Sequence, residues 1–262
     1  MKRALRELLP EVFPKKNRLV GMTTGDEQRW YSSIACEVVG KGNRGAIVDL
    51  GSWMGSTAIS LANGIKKSVP AGVAAPPVYA IDRYVWESWM QPFASPSSGV
   101  SCDYLDGDSF LPEVRRRFAE CKGNILAVKA DLTAYRWEGG EIAILLVDAM
   151  KTPELCTSIA CEFYPHLKPG SVLIHQDYKH YFTSWIHLLQ YRLREHFEFL
   201  HDVPHSGTVG FTVRETLSPE VVATAARVNE TSDSEMQAAI EHSMNFVGAH
   251  GKANIAAAHV MY

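Results

Sequence analysis

Residues 46–60 read AIVDLGSWMGSTAIS, and the fold turns on how this stretch divides. Ala46 to Leu50 is an apolar run of strand length broken only by Asp49, Gly51 and Gly55 stand four apart, and Ser56 opens a small-residue helical pattern. A strand that passes through glycines into a helix is the opening of a crossover unit. The glycines admit two readings. They make a tight turn where no side chain fits, or they let bare backbone approach a nucleotide-like ligand.

Outward from this unit, strand-length apolar runs alternate with helical patterns. GDEQRWYSSIACEVVGK (25–41) precedes it as a helix with Asp26 as its cap and Trp30, Ile34 and Val38 on one face. PPVYAID (76–82), NILAVKAD (124–131), EIAILLVD (141–148) and KPGSVLIHQDY (168–178) read as further strands. SFLPEVRRRFAECKG (109–123), TPELCTSIACEFYPHL (152–167) and a long HYFTSWIHLLQYRLREHF (180–197) read as helices between or after them. FEFLHDV and GTVGFTVRE, joined by a short link, suit an antiparallel pair at the sheet edge. The expectation is an α/β, doubly wound, seven-stranded and mostly parallel sheet with an antiparallel edge pair. Residues 1–217 form one domain with N-terminal helices and a lid insertion near 83–109, and 218–262 form a C-terminal helical extension of one or two helices.

The composition narrows the function classes. With 262 residues, 46% hydrophobic and 21% charged, the chain can bury one large core. A formal charge of -3 gives no bulk reason to bind nucleic acid or an anionic membrane. No apolar run approaches the roughly 18 to 20 residues of a spanning helix, and the start lacks the pattern of a secretory signal, so the expected location is cytoplasmic. Cys36, Cys102, Cys121, Cys156 and Cys161 form no CxxC pair, so reduced thiols are expected rather than a disulfide scaffold or a zinc site.

The 83–109 connection is far longer than usual and carries Tyr84, Trp86, Trp89, Met90 and Phe93. It reads as a lid over a ligand, as aromatic filling beside the sheet, or as a subunit contact compatible with a homodimer. Carboxylates gather at the strand ends: Asp49, Asp82, Asp131, Asp148 and Asp177. Ligands of open parallel sheets sit outside those ends. The glycine loop, with Ser52, Trp53 and Met54 between its glycines, departs from the G-x-G-x-x-G of a pyrophosphate site, and no Gly-Lys-Ser/Thr is present. Asp82 is placed for a ribose diol and Asp131 for an adenine edge. A nucleoside bound without phosphates points to S-adenosylmethionine.

At this point Asp49-Leu-Gly51-Ser52-Trp-Met-Gly55-Ser-Thr57 resembles motif I of class I S-adenosylmethionine-dependent methyltransferases, in the form found in the macrocin O-methyltransferase type. LKPGSVLIHQDY resembles their Leu-x-Pro-Gly-Gly-x-apolar-Asp-Asp-Tyr segment. The resemblance spans roughly residues 26–214. It implies a Rossmann-like methyltransferase fold, cofactor contacts from Asp49, Gly51, Ser52, Gly55, Thr57, Asp82, Asp131 and Asp148, and methylation of a small-molecule hydroxyl, sugar or phenolic. It also implies a divalent metal such as Mg2+ held by Asp148, Gln176 and Asp177, which would acidify the acceptor hydroxyl. Gln176 stands where the family usually has an acid.

Asp148-Ala-Met-Lys151 is similar to the Asp-x-x-Lys of catechol O-methyltransferase, which implies Lys151 as general base; Lys151 is equally readable as a surface residue. His175 and His180 offer a metal-independent base. By strand alternation His175 shares a face with Asp177, although a hydrogen-bonded strand residue is its plainer reading. Two rivals stay open: a nitrogen acceptor, and a methyltransferase-like domain used only for binding or assembly.

Overall fold

The computed structural model describes residues 19–261, apart from 71, 95–99, 102, 122 and 123. The N-terminal segment 1–18, the Ser-Pro-Ser-Ser-Gly stretch of the 83–109 connection (95–99) and Cys102 lie outside the described residues.

Helix α1 (Gly25–Gly40) is capped by Thr24, whose hydroxyl accepts from the Glu27 amide while the Glu27 carboxylate accepts from the Thr24 amide; this capping box places the cap two residues before the expected Asp26. Strand β1 (Ala46–Leu50) then leads through the glycine loop into α2 (Ser56–Ser68). The succeeding elements are β2 (Val78–Asp82), α3 (Leu111–Cys121), β3 (Ile125–Lys129), β4 (Ile142–Val147), α4 (Pro153–Phe163) and β5 (Leu167–His175). α5 (Ser184–Arg192), β6 (Phe197–Asp202), β7 (Val209–Val213), α6 (Pro219–Ala225), α7 (Asp233–Met244) and α8 (Ala249–Met261) complete the chain.

The seven strands lie in the order β3-β2-β1-β4-β5-β7-β6. β1 pairs in parallel with β2 and with β4, and β7 runs antiparallel to both β5 and β6. The chain therefore winds outward from β1 to β3 and returns to β4, which puts the reversal of strand order between β1 and β4. Crevices form there in sheets of this kind.

Side chains alternate across the sheet. Val48, Leu50, Leu145, Val147 and Leu173 face α4 and α5, while Ile47, Ile144, Leu146, Val172 and Ile174 face α1, α2 and α3. Three C-terminal helices are present. Their Val222, Ala225, Met236, Ile240, Ile255 and Ala258 belong to the same apolar core as β4 and β5. Lys179, buried just past β5, pairs with Asp202 and donates to the Val203 carbonyl at 2.9 Å; Asp202 also accepts from the Gly248 amide just before α8. Among the described residues no helix is long and apolar enough to cross a membrane.

Two expectations are revised. The helix expected over 180–197 forms only from Ser184 to Arg192, because the Asp177 carbonyl collects the His180 amide at 3.0 Å and the Thr183 hydroxyl at 2.9 Å, holding residues 177–183 in a turn. In the 83–109 connection, Tyr84, Trp86 and Met90 are core residues, with Trp86 stacked on Tyr104 at 5.1 Å and edge-on to Phe110 at 6.1 Å. Trp89 and Phe93, on a 3-10 turn over Ser88–Phe93, stay 53% and 45% exposed, so one part of the connection fills the groove and another is left at the rim.

Both glycines of the crossover have steric reasons. Gly51 has φ +84, and a Cβ there would meet the Asp148 carbonyl oxygen at 2.7 Å; Gly55 has φ +83 and would meet the Phe118 ring at 2.3 Å. Gly140 shares a positive φ, +78, but faces open space. Gly140→Ala is expected to cost only the left-handed backbone penalty of about 1 kcal/mol, and Gly51→Ala to cost about 3 kcal/mol or more because a clash is added. Urea unfolding of the two variants beside the parent chain checks the difference.

Candidate functional site

The C-terminal edges of β3, β2, β1, β4 and β5 bring the expected acids into one row, but the acids differ in character. Asp49 lies inside β1, one residue before its end, and is fully buried. Its Oδ2 accepts the Thr57 hydroxyl at 2.5 Å, while Oδ1 has no hydrogen-bond partner among the described residues. Burial pushes its pKa up to about 8, with Asp148 and Asp82 adding repulsion and the Thr57 hydroxyl opposing. Asp49 is thus a buried acid beneath the glycine loop that has no cationic partner and holds its proton at neutral pH.

Asp82 closes β2 and turns toward the crossover. Its Oδ2 accepts the Trp53 amide at 3.0 Å and its Oδ1 the Tyr84 amide at 2.7 Å. Burial raises its pKa, against those two amide bonds. Each carboxylate oxygen can accept a second hydrogen bond, so capacity for a hydroxyl pair remains. Ser52 bonds the Tyr84 hydroxyl at 2.9 Å, and that hydroxyl donates to the Ala80 carbonyl at 2.8 Å; the loop is tied to β2 twice. Trp53 takes φ +44, its side chain is buried edge-on to Phe93 at 6.3 Å, and its indole N–H has no partner among the described residues.

Asp131 stands apart. It is exposed, two residues past β3, and its Oδ1 accepts the Thr133 amide at 2.9 Å and hydroxyl at 2.8 Å; those bonds lower its pKa. It closes its own turn.

Across β4 and β5 the polar groups interlock. Lys151 donates to Asp148 Oδ1 at 2.7 Å and also to Asp177. Asp148 Oδ2 accepts the Gln176 amide at 2.9 Å, Gln176 Oε1 accepts the Tyr31 hydroxyl at 3.2 Å, Tyr31 meets Thr208 at 3.0 Å, and Thr208 donates to Glu27 at 2.6 Å. Burial pushes Asp148 up to about 7, with Lys151 opposing and Asp177 adding to the rise. Burial would lower Lys151, but Asp148 and Asp177 outweigh it and hold the ammonium charged well past neutral pH.

Glu27, Tyr31 and Thr208 are parts of this cluster that the sequence reading missed. Glu27 and Tyr31 stand one turn apart on the buried face of α1, so a carboxylate and a phenol at an i, i+4 spacing among apolar residues was the available signal.

The two histidines separate. β5 ends at His175, so strand alternation does not extend to Asp177. The His175 ring is fully buried at 3.1 Å from the Tyr164 hydroxyl, among Tyr178 and Phe211, and burial drives its pKa down to about 3. It is not brought to the crevice. His180 lies in the turn beside Asp177, edge-on to Phe182 at 4.1 Å, with Nδ1 unpartnered among the described residues. Burial lowers its pKa, opposed by Asp177, so the imidazole is neutral near pH 7. Among the described residues no group of three or more His, Cys, Asp or Glu side chains gathers as a metal-binding cluster.

Strand order, antiparallel β7 and the glycine turn at the β1 end are those of the class I methyltransferase fold. The O-methyltransferase NovP shares it, with a TM-score of 0.56 at 15% identity over 75% of this chain and 83% of that one. The calicheamicin methyltransferase CalS11 shares it with a TM-score of 0.52 at 12% identity, over 80% of this chain and 90% of that one. At such identities the likeness is one of fold. No protein-family model and no curated protein sequence matches the chain.

The buried charges set a stability profile. Asp49 and Asp148, raised from 3.8 to about 8 and about 7, bind more protons folded than unfolded, so their ionisation weakens the fold as pH rises through that interval. His175 and His187, depressed from 6.5 to about 3, weaken it as pH falls below 6.5. The two pairs oppose each other between pH 4 and 6.5, and above that only the carboxylates act. Unfolding free energy of the ligand-free protein is therefore expected to fall from pH 6.5 to 8, by at most about 1.4 kcal/mol per pH unit for each proton. Asp49→Asn is expected to flatten that slope in urea titrations at successive pH values.

Proposed function

We propose that this protein transfers a methyl group from S-adenosylmethionine to a hydroxyl of a small molecule, sugar or phenolic. The observation that carries the reading is the row formed by Asp82, the Gly51–Gly55 turn, Asp49 and Asp148 at the reversal of strand order. Adjacent strands are about 4.8 Å apart, so the two steps from β2 to β4 span roughly 10 Å, the separation of a ribose from the end of an attached amino-acid arm. The floor of that row is acidic and short of positive charge: Asp49 is close enough to Asp82 and Asp148 to be repelled by both and has no cationic partner, so a bound cation favours its ionised form. A ligand carrying a sulfonium and an ammonium fits such a floor, and a pyrophosphate does not.

In this reading Asp82 receives the ribose hydroxyls, the backbone of Gly51 to Gly55 lies along the methionine arm, and Asp49 acts through its field beneath the loop. Thr57 keeps the Asp49 carboxylate in place. Bound S-adenosylmethionine would supply an electrophilic methyl group, leaving this chain the tasks of orientation, water exclusion and proton removal. The acceptor lies over β4 and β5, where Lys151 and Asp177 hold its oxygen and neutral His180 receives the proton. The exposed Trp89 and Phe93 support a role for the 83–109 connection in covering the ligand. The fold shared with the O-methyltransferase NovP supports the chemistry without identifying the acceptor.

Titration calorimetry with S-adenosylmethionine and S-adenosylhomocysteine tests this directly. Both are expected to bind, and Asp82→Asn to weaken them by about tenfold to a hundredfold, the worth of charge-assisted hydrogen bonds to the sugar. Absence of binding to either ligand refutes the proposal.

A further inference from the structure

The resemblance noted in the sequence implies a divalent ion at Asp148, Gln176 and Asp177, and the structure allows the fit to be tested atom by atom. A hard cation such as Mg2+ needs several oxygens turned toward one point, at about 2.1 Å from it. Here four of the five side-chain oxygens already face a donor. Asp148 Oδ1 receives the Lys151 ammonium, which also bonds Asp177, and Asp148 Oδ2 receives the Gln176 amide N–H. Gln176 Oε1 receives the phenol of fully buried Tyr31. Rotating the Gln176 amide to offer its oxygen would set that oxygen against Asp148 Oδ2 and break the bond from Tyr31. The carboxylate pair already holds one positive charge, and it belongs to the chain.

The position of that charge is built into the fold. Thr152 caps α4 through the Leu155 amide at 3.2 Å, and the Met150 carbonyl accepts the Trp185 indole N–H from α5 at 2.8 Å. These contacts fix the short segment between β4 and α4 on both sides of Lys151. The Lys151 side chain is 44% exposed, so its ammonium closes the two carboxylates from the open side and keeps a face toward the crevice.

We propose that Lys151 is the resident cation of the acceptor region: its ammonium, seated between Asp148 and Asp177, occupies the place of a divalent ion, and its remaining N–H orients the acceptor oxygen. The orienting role rests on the methyltransferase reading. Exclusion of the metal does not, because it follows from the ammonium already seated between the two carboxylates. The region is therefore selective for a neutral hydroxyl rather than for a chelating, metal-bridged acceptor.

The test is Mn2+ binding followed by electron paramagnetic resonance, with Mg2+ competition, on the full chain without cofactor. Wild-type protein is expected to leave Mn2+ free at millimolar concentration. Lys151→Met removes the charge at similar length and uncovers the carboxylate pair, so Mn2+ binding is expected to tighten at least tenfold and to disappear again on adding Asp148→Asn. Lys151→Gln serves if the methionine variant melts early, and Lys151→Arg, which keeps the charge, is expected to behave as wild type. Mn2+ held by the wild type, or by none of the variants, overturns the proposal. The readout needs no methyl donor, so its failure is separable from failure of cofactor binding. Where turnover is found, EDTA is expected to leave it unchanged.

Discussion

Everything at this sheet edge depends on how closely the ends of β1 and β4 approach. Gly51 sits where a Cβ would lie 2.7 Å from the Asp148 carbonyl oxygen, and the Asp148 amide donates to the Leu50 carbonyl at 2.8 Å. Strands can close to that extent only if one of them turns away at a residue without a side chain. The turn sends the chain into α2, buries Asp49 beneath it and delivers the Trp53 amide to Asp82. A packing constraint therefore creates the electrostatic feature. The two readings of the glycines are a single arrangement, because the backbone left bare for steric reasons is the backbone available to a ligand.

The cost of that arrangement falls on the carboxylates. An ionised group without a partner inside a protein is expensive, and the fold answers it differently along the row. Asp82 has two backbone amides and Asp148 has an ammonium and an amide, whereas Asp49 has the Thr57 hydroxyl and the Ala58 amide and leaves its Oδ1 without a partner among the described residues. The group left least compensated is the one under the loop. Natural folds tolerate such a group where a ligand of opposite charge relieves it, and the acidic floor beneath the loop suits a cationic ligand in that sense. The histidines make a useful contrast. His175 and His187 are as deeply buried, yet they stay neutral, and their effect on stability is confined to the acid side of pH 6.5, where it opposes that of the carboxylates.

The sheet was legible in the sequence because its signal is local. Each strand is an apolar run bounded by turn residues, and the acids that close the runs lie within two residues of the strand ends. Asp82 and Asp148 show why the site was partly legible too, since strand order alone brings them together. What remained hidden depends on distance along the chain. Tyr31 meets Gln176 across 145 positions and Thr208 meets Glu27 across 181, and no spacing rule reaches that far. His175 illustrates a different loss. Alternation placed it with Asp177, but the strand stops at His175 and the following backbone turns, so the period of two no longer applies. Asp131 fits the pattern of strand-end acids in sequence, yet its carboxylate serves the Thr133 turn, a short-range competitor for the same side chain.

Gln176 shows how a single residue can redirect a site without altering the fold. An acid at this position would bring a third negative charge beside Asp148 and Asp177, and Tyr31 would then donate to a carboxylate whose other oxygen needs a cation. The amide removes that need. It gives an N–H to Asp148 and takes an O–H from Tyr31, and so turns a repulsive contact into a chain of hydrogen bonds from Tyr31 to Asp177. With the amide in place, one ammonium is enough to balance the two remaining carboxylates to within a single charge. Lys151, three residues past Asp148 and fixed by the cap of α4, is the side chain that the backbone brings to that point.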